Sequence, residues 1–589
     1  MHRACLLAFV LLCAPLHALM AANNSLHTLA EDSGFQRTGR HDEVIALCKA
    51  FEQRHPDAVR CIDVGTTPQG RPMQALVVSR SGALTADHAR QRSLPVLLIQ
   101  GGIHAGEIDG KDAGFLAIRQ LLDGEAAPGA LHDMVLVFVP VFNVDGHENF
   151  RAWHRPNQRG PEEMGFRVTS QRYNLNRDYV KADAPEMQAM LRLIDQWDPL
   201  VMMDLHATDG AQFQHDISIT GEPIHAGDAD LQRSGRALRD GIIAALRQHG
   251  SQPVPFYPSF EVHDDPASGF AHGAAPPRFS HGYFGQRNRF GILVETHSWR
   301  TYPERVQSTR NTVIALVELA QRHGRDWLQQ TRAADRRSST LGGTVLPLSW
   351  KATDASHPID FAGYAYTRTP SDVSGALMTR YDESKPQTWR IPLRDTVVPD
   401  LQVTLPKAGY LVPPEYAATV QPWLERHGIA FRRLEAAVPQ RAVSMFRADT
   451  ATFARQSMEG HQRLELKGQW SPETAALPAG ALFVPIAQPK ARLVAQLLEP
   501  QAPDSLAAWG LFNTAFEQKE YMEDYMAEAV AREMLAADPA LRRRFEEKLR
   551  SDPEFAGSPA ARLDFFYRLH PAWDRDLNRY PVLRLDTPP

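Results

Sequence analysis

The stretch Leu94-Pro-Val-Leu-Leu-Ile-Gln-Gly101-Gly-Ile-His104-Ala-Gly-Glu107 decides the fold. Its first half is a short, continuous, aliphatic run of the kind that forms a strand buried on both faces. The run breaks at two glycines and delivers a histidine and a carboxylate three residues apart. Glycine lets the backbone fold tightly, so both side chains can face one ion. From Gly110 to Leu122 apolar residues recur three and four apart, which predicts a helix directly after the turn. Strand, chemistry-bearing turn and helix in that order are the repeating unit of an α/β fold.

Three further runs have the same character: Met134-Val-Leu-Val-Phe-Val-Pro-Val-Phe142, Leu200-Val-Met-Met-Asp-Leu205 and Gly291-Ile-Leu-Val294. A second helical pattern spans Gly235 to His249. The expectation is a mixed, largely parallel sheet flanked by helices. In such open sheets ligands gather at the carboxyl ends of strands. His104, Asn143, His206 and Glu295 each stand at or just beyond the end of a predicted strand. A His/Glu/His set of His104, Glu107 and His206, with a fourth position open, has the composition of a catalytic rather than a structural zinc site. Glu295 ends an apolar run, a costly place for a carboxylate that has neither partner nor work.

The chain has 589 residues, more than one hydrophobic core usually supports, so at least two domains are expected. The polar, small-residue stretch from Thr331 to Gly343 reads as a linker. It divides a catalytic region, residues 23–337, from an accessory region, residues 338–589, of α+β character and without a motif that carries chemistry. Short strand patterns fill residues 341–485 around one helix at Pro414 to His427, and residues 488–570 are mainly helical. A formal charge of -5 gives no reason to expect nucleic acid. Residues 1–22, basic at the start, then apolar, then small, read as a signal peptide. The mature chain is therefore expected to be exported, periplasmic or secreted, with no stable membrane span. Of four cysteines, cleavage leaves Cys48 and Cys61, either bridged as exported proteins permit or buried apart as thiols.

Over roughly residues 35 to 325 these residues resemble the zinc carboxypeptidase family typified by carboxypeptidase A. The resemblance implies one zinc ion per chain on His104, Glu107 and His206, with Glu295 as the general base that activates water at the metal. Asn176-Arg177, within Tyr173-Asn-Leu-Asn-Arg-Asp-Tyr179, matches the pair that grips a substrate's terminal carboxylate. The family's oxyanion arginine follows a tryptophan directly; here Trp153 is followed by His154, and the role passes to Arg155. The family's mobile tyrosine has no counterpart between Gly273 and Ser280, leaving Tyr283 and Tyr257 as candidates. His263, His272, His281 and His297 read as loop residues or supports, and Asp204 or Asn174 as residues that could orient a ligand imidazole. The implied activity is a metallocarboxypeptidase acting on peptides with a free C-terminus, cell-wall peptides among them. The alternatives are a zinc deacylase of the aspartoacylase or succinylglutamate desuccinylase type, a murein peptide amidase, or an inactive peptide- or cell-wall-binding protein.

Overall fold

The structure, a computed structural model, describes residues 26–589, so the signal-peptide reading of residues 1–22 lies outside the described residues. The aliphatic runs form strands of one eight-stranded sheet. In chain order the strands are β1 (Val59–Thr66), β2 (Pro72–Val78), β3 (Val96–Gly101), β4 (Val135–Val139), β5 (Val201–Thr208), β6 (Ile217–Glu222) and β7 (Pro253–Val254). A short β8 (Phe270–Ala271) belongs to another sheet, and β9 (Phe290–His297) completes this one. The spatial order is β1-β2-β4-β3-β5-β9-β6-β7. Its centre, β4, β3, β5 and β9, is parallel, while β1 and β2 run against their neighbours and β6 runs antiparallel to β9 and parallel to β7. Every residue of β3, β4, β5 and β9 is buried, which is why these segments read as unbroken apolar runs rather than alternating ones.

Helices flank the sheet. His41–Arg54 lies on β1 and β2, Asp109–Asp123 on β3 and β5, and Tyr302–Ser338 packs against both Asp109–Asp123 and Ala229–Gln248. Gly114 lets the second of these approach closely: a Cβ there would stand 2.2 Å from the ring of Phe138. A disulfide joins Cys48 to Cys61, tying His41–Arg54 to β1.

The linker reading needs correction. The polar residues from Thr331 onward continue the helix as far as Ser338. Thr331, Ala334 and Ser338 are buried, Arg337 pairs with Asp228 at 2.6 Å, and Ser338 accepts a hydrogen bond from Asn288 at 3.0 Å. A composition suited to solvent thus serves here to fasten a long helix by polar contacts.

Beyond the helix a six-stranded sheet has the order Arg432–Arg433, Leu482–Pro485, Gly409–Val412, Leu583–Leu585, Val438–Phe453 and Leu464–Leu477. The expected helix is present at Pro414–Arg426. A second long hairpin, His357–Pro370 with Leu377–Arg394, takes β8 as its third strand, Leu393 standing opposite Phe270. Phe213, Phe256, Phe270, Phe361 and Trp389 form an apolar cluster under that junction. The main core spans both regions, including Val294 and Trp327 together with Leu346, Tyr410 and Leu497, while smaller clusters stand apart from it, among them Leu541, Phe545, Phe555 and Phe566. Among the described residues no helix is long and apolar enough to cross a membrane.

Candidate metal centre and active site

The turn after β3 depends on glycine at two points. Gly102 takes φ +63°, a conformation glycine adopts without strain. At Gly106 a Cβ would stand 2.6 Å from both Arg155 Cγ and the Gly165 carbonyl, so only glycine lets Arg155 close over the turn. The turn presents His104 and Glu107, while His206 arrives near the end of β5. Candidate ligand atoms of all three lie within 4.8 Å of one another, and all three residues are buried.

The detailed geometry fits a metal. Nδ1 of His104 lies 2.9 Å from Glu107 Oε1, and Nδ1 of His206 lies 2.8 Å from Glu107 Oε2. The far nitrogen of each ring meets an oxygen: His104 Nε2 is 3.2 Å from Asn174 Oδ1, and His206 Nε2 is 3.2 Å from Asp204 Oδ2. In each ring Nδ1, the nitrogen turned to Glu107, is the one placed to face an ion; Nε2 of His104 is hydrogen-bonded to Asn174, and Nε2 of His206 lies close to Asp204 without hydrogen-bond geometry. Asp204 is held in turn by Gln100 at 2.9 Å and Ser280 at 2.6 Å, and Gln100 accepts from the Tyr179 hydroxyl at 2.8 Å. Two imidazole nitrogens and one carboxylate form a donor set suited to zinc.

Charge distribution points the same way. Burial alone would raise the Glu107 carboxyl, yet the neighbouring His104 and Arg155 hold it well below the ordinary range. Burial pushes His104 down to about 4. At His206 burial is outweighed by Asp204 and Glu295, which drive its pKa well up. A positive charge is what this carboxylate-lined centre calls for, and a divalent cation answers the same demand.

Register brings Glu295 to the site. In the parallel pairing of β5 and β9 it stands opposite His206. Burial raises its carboxyl to about 8, with Glu107, Asp204 and Asp209 adding to the rise and His206 opposing it. Arg155 reaches in from its loop, with Nη2 2.9 Å from Glu107 Oε1 and 3.2 Å from Asp209 Oδ1.

Asn176 and Arg177 line a cavity of about 340 Å³ together with His104, Glu107, Tyr257 and Glu295. The Arg177 guanidinium stacks on Phe279 at 4.5 Å and donates to the Asn176 carbonyl at 2.7 Å. Asp178, its sequence neighbour, is engaged by Lys181 instead. Among the described residues no carboxylate stands within ion-pairing distance of Arg177. Burial and the like charges of Arg167 and Arg278 hold its pKa below the usual value. A cation so placed favours an incoming anion.

The two tyrosine candidates part company. Tyr283 is buried and hydrogen-bonded to His427 at 2.9 Å, away from the cavity lining. Tyr257 lines the cavity, is 38% exposed, and its hydroxyl accepts from Thr208 at 3.3 Å. His272 and His281 line the cavity as well, whereas His297 stacks on Phe213 at 4.0 Å.

Sequence reasoning missed several participants. Arg167, Asp209 and Glu222 line the cavity from positions with no motif around them. The accessory region contributes Glu459, whose Oε2 accepts from the Asn174 backbone N–H at 3.0 Å, and Asp504, which accepts from Arg278 N–H at 3.1 Å and Nη1 at 2.9 Å. No local pattern announces either one.

Comparison with known proteins bears on the same stretch. Residues 44–237 match the zinc carboxypeptidase family model, so the resemblance read from the sequence holds over this part of the chain. A curated relative, the inactive metallocarboxypeptidase ecm14 of Schizosaccharomyces pombe, is 28% identical over 145 residues, covering 23% of this chain. That match spans only 29% of the relative's length. Among solved structures, carboxypeptidase A of Helicoverpa armigera is 13% identical, with 54% of this chain and 81% of that one covered at a TM-score of 0.35. A metallo-carboxypeptidase of Burkholderia cenocepacia is 15% identical, with 47% and 68% covered and a TM-score of 0.34. Glu295 lies beyond the family match and owes its position to the β5–β9 register.

Proposed function

We propose that this chain is a zinc-dependent metallocarboxypeptidase that hydrolyses the last bond of peptides with a free C-terminus. The observation that carries the reading is Glu295 beside His206, in a cavity that also holds Arg177 with no anionic partner among the described residues. One zinc ion on His104, Glu107 and His206 would supply Lewis-acid polarisation of a carbonyl and of water. The chain's own residues would do the rest. Arg177, with Asn176, binds the terminal carboxylate and thereby selects which bond lies beside Glu295. Arg155 donates to the oxygen on which negative charge develops. Glu295, as the carboxylate, takes a proton from the attacking water and returns it to the leaving amine.

A curated relative over part of the same stretch is named inactive. The intact set of three candidate ligands with Glu295 favours turnover in this chain. We further propose that residues 1–22 direct export, which would place the substrates outside the cytoplasm, cell-wall peptides included.

The test compares the wild-type chain with Glu295→Gln for bound metal and for release of amino acids from a mixed peptide library by mass spectrometry. Wild type should hold zinc and shorten peptides from the C-terminus, and the variant should keep zinc while losing activity by about 1,000-fold or more. Zinc without C-terminal release by wild type would sink this reading and turn the search to acyl-amino acids and murein fragments.

A further inference from the structure

The cavity beside the metal centre carries, in another part of its lining, polar groups that the chemistry above does not use: Glu222, His272 and His281. Glu222 ends β6, the antiparallel neighbour of β9. In that register Ser218 stands opposite Glu295 and Glu222 opposite Gly291. Four residues of strand separate the level of the general base from the level of Glu222, about 13 Å at the usual rise. A short side chain on a substrate bound at Glu295 would not span that separation; a lysine or arginine does so only with the Glu222 side chain covering the remainder.

Glu222 is built into place. It is 2% exposed, and its Oε2 accepts from the backbone N–H groups of Ile224, His225 and Ala226 at 2.6, 2.9 and 3.0 Å. Its other oxygen lies 3.6 Å from His225 Nδ1. Burial opposes ionisation, but His225 and these N–H groups hold the carboxyl below its ordinary range. The rings of His225 and His272 meet edge to face at 5.0 Å. Burial pushes His272 and His281 both down to about 4, so each is a neutral imidazole at neutral pH. His272 Nε2 and His281 Nδ1 are buried nitrogens with no hydrogen-bond partner among the described residues, and His281 is 9% exposed. Buried polar atoms are ordinarily paired, and a neutral imidazole offers a lone pair at one nitrogen.

We propose that Glu222, His272 and His281 form a subsite for the substrate's terminal side chain, and that the residue it takes is long and ends in a cation. An ammonium has three donors and a guanidinium five, and the subsite offers a carboxylate oxygen and imidazole nitrogens to receive them. An aliphatic terminal residue would leave those acceptors unpaired in a desolvated site, and an acidic one would face Glu222 with like charge. The assignment rests on the metallocarboxypeptidase reading, which it extends from reaction to substrate class.

The experiment uses zinc-loaded full-length protein and peptides that differ only in a terminal Lys, Arg, Leu, Phe or Glu. The expected result is a kcat/KM for Lys or Arg at least about 100-fold above that for Leu, Phe or Glu, with the Lys and Arg arms separating ammonium from guanidinium recognition. Glu222→Gln should bring that ratio to within about 10-fold. Calorimetric titration of wild type with free L-lysine, L-arginine and L-leucine supplies a readout that depends neither on turnover nor on a variant that folds. Leu or Phe released as fast as Lys would overturn the subsite while leaving the carboxypeptidase reading intact. No cleavage at all, combined with lysine or arginine bound at least about 10-fold more tightly than leucine, would support the subsite and overturn the reaction. No cleavage and equal binding of the three amino acids would overturn both.

Discussion

At the scale of single residues, the centre is organised by what stands behind the candidate ligands. Asn174 Oδ1 and Asp204 Oδ2 lie 3.2 Å from the Nε2 atoms of His104 and His206. Removing either oxygen frees a ring to rotate. Asn174→Ala and Asp204→Ala should each weaken zinc binding by about 10- to 100-fold, measurable by competition with a chromogenic chelator. Unchanged affinity in both would mean that the imidazoles are held by packing alone. Arg177 should behave differently, because in the proposed function it meets substrate rather than metal. Arg177→Lys keeps the charge but loses the forked geometry, so KM for peptides should rise about 10- to 100-fold while zinc affinity stays put. A variant with wild-type KM would remove Arg177 from carboxylate binding.

At the scale of elements, the accessory region reaches the loop that carries Asn176 and Arg177 through a hairpin tip. Between Val438–Phe453 and Leu464–Leu477, Glu459 takes φ +50° and Gly460 φ +82°. A non-glycine residue in that conformation costs about 1 kcal/mol, offset here by the hydrogen bond of Glu459 to Asn174 and by His461, whose Nε2 lies 2.7 Å from Asp183. Glu459→Ala should therefore loosen the loop Tyr173–Asp178, seen as faster amide hydrogen exchange there and a several-fold higher KM, whereas Glu459→Gln should retain an acceptor and stay near wild type. Equal exchange in the two variants would count against the contact. The disulfide closes a loop with a sequence separation of 13. Its reduction should cost about 3 kcal/mol of stability, to be read from urea unfolding with and without dithiothreitol.

At the scale of the whole molecule, one continuous core runs through the residues on both sides of the helix Tyr302–Ser338. The proposed division at residue 338 would then be one of chain order rather than of folding. The full chain should unfold in a single calorimetric transition, and residues 26–338 expressed alone should aggregate. Two separated transitions would restore the two-domain view. Acid should be destabilising for an identifiable reason. His427 of the accessory region is buried, donates from Nε2 to the Val180 carbonyl at 3.0 Å and accepts from the Tyr283 hydroxyl at 2.9 Å. Burial lowers its pKa to about 3. The unfolded chain binds a proton at this histidine below about 6.5 while the folded chain does not, so stability falls as pH drops from there towards 3. At pH 5 this single group should contribute a loss of about 2 kcal/mol relative to pH 7 or above. Urea unfolding at the two pH values should register it, and His427→Gln should reduce the difference.

The fold was legible because its evidence is local. β3, β4, β5 and β9 are buried on both faces, so each shows as an aliphatic run whatever its neighbours are, and the candidate ligands fall at strand ends where a short run stops. The turn Gly101 to Glu107 and the carboxylate at Glu295 could be read one segment at a time. Tertiary structure alone decided what depends on distant pairs. It brought Tyr257 rather than Tyr283 to the cavity, set Arg155 on Glu107, and turned the polar stretch after Thr331 into helix by giving Arg337 and Ser338 partners at Asp228 and Asn288. It also gathered Glu222, His272 and His281 into one lining and carried Glu459 to Asn174, 285 residues away in the chain. Hydrophobic periodicity records which face of a segment is buried. It holds no record of which polar atom, tens or hundreds of residues away, will satisfy the one it exposes.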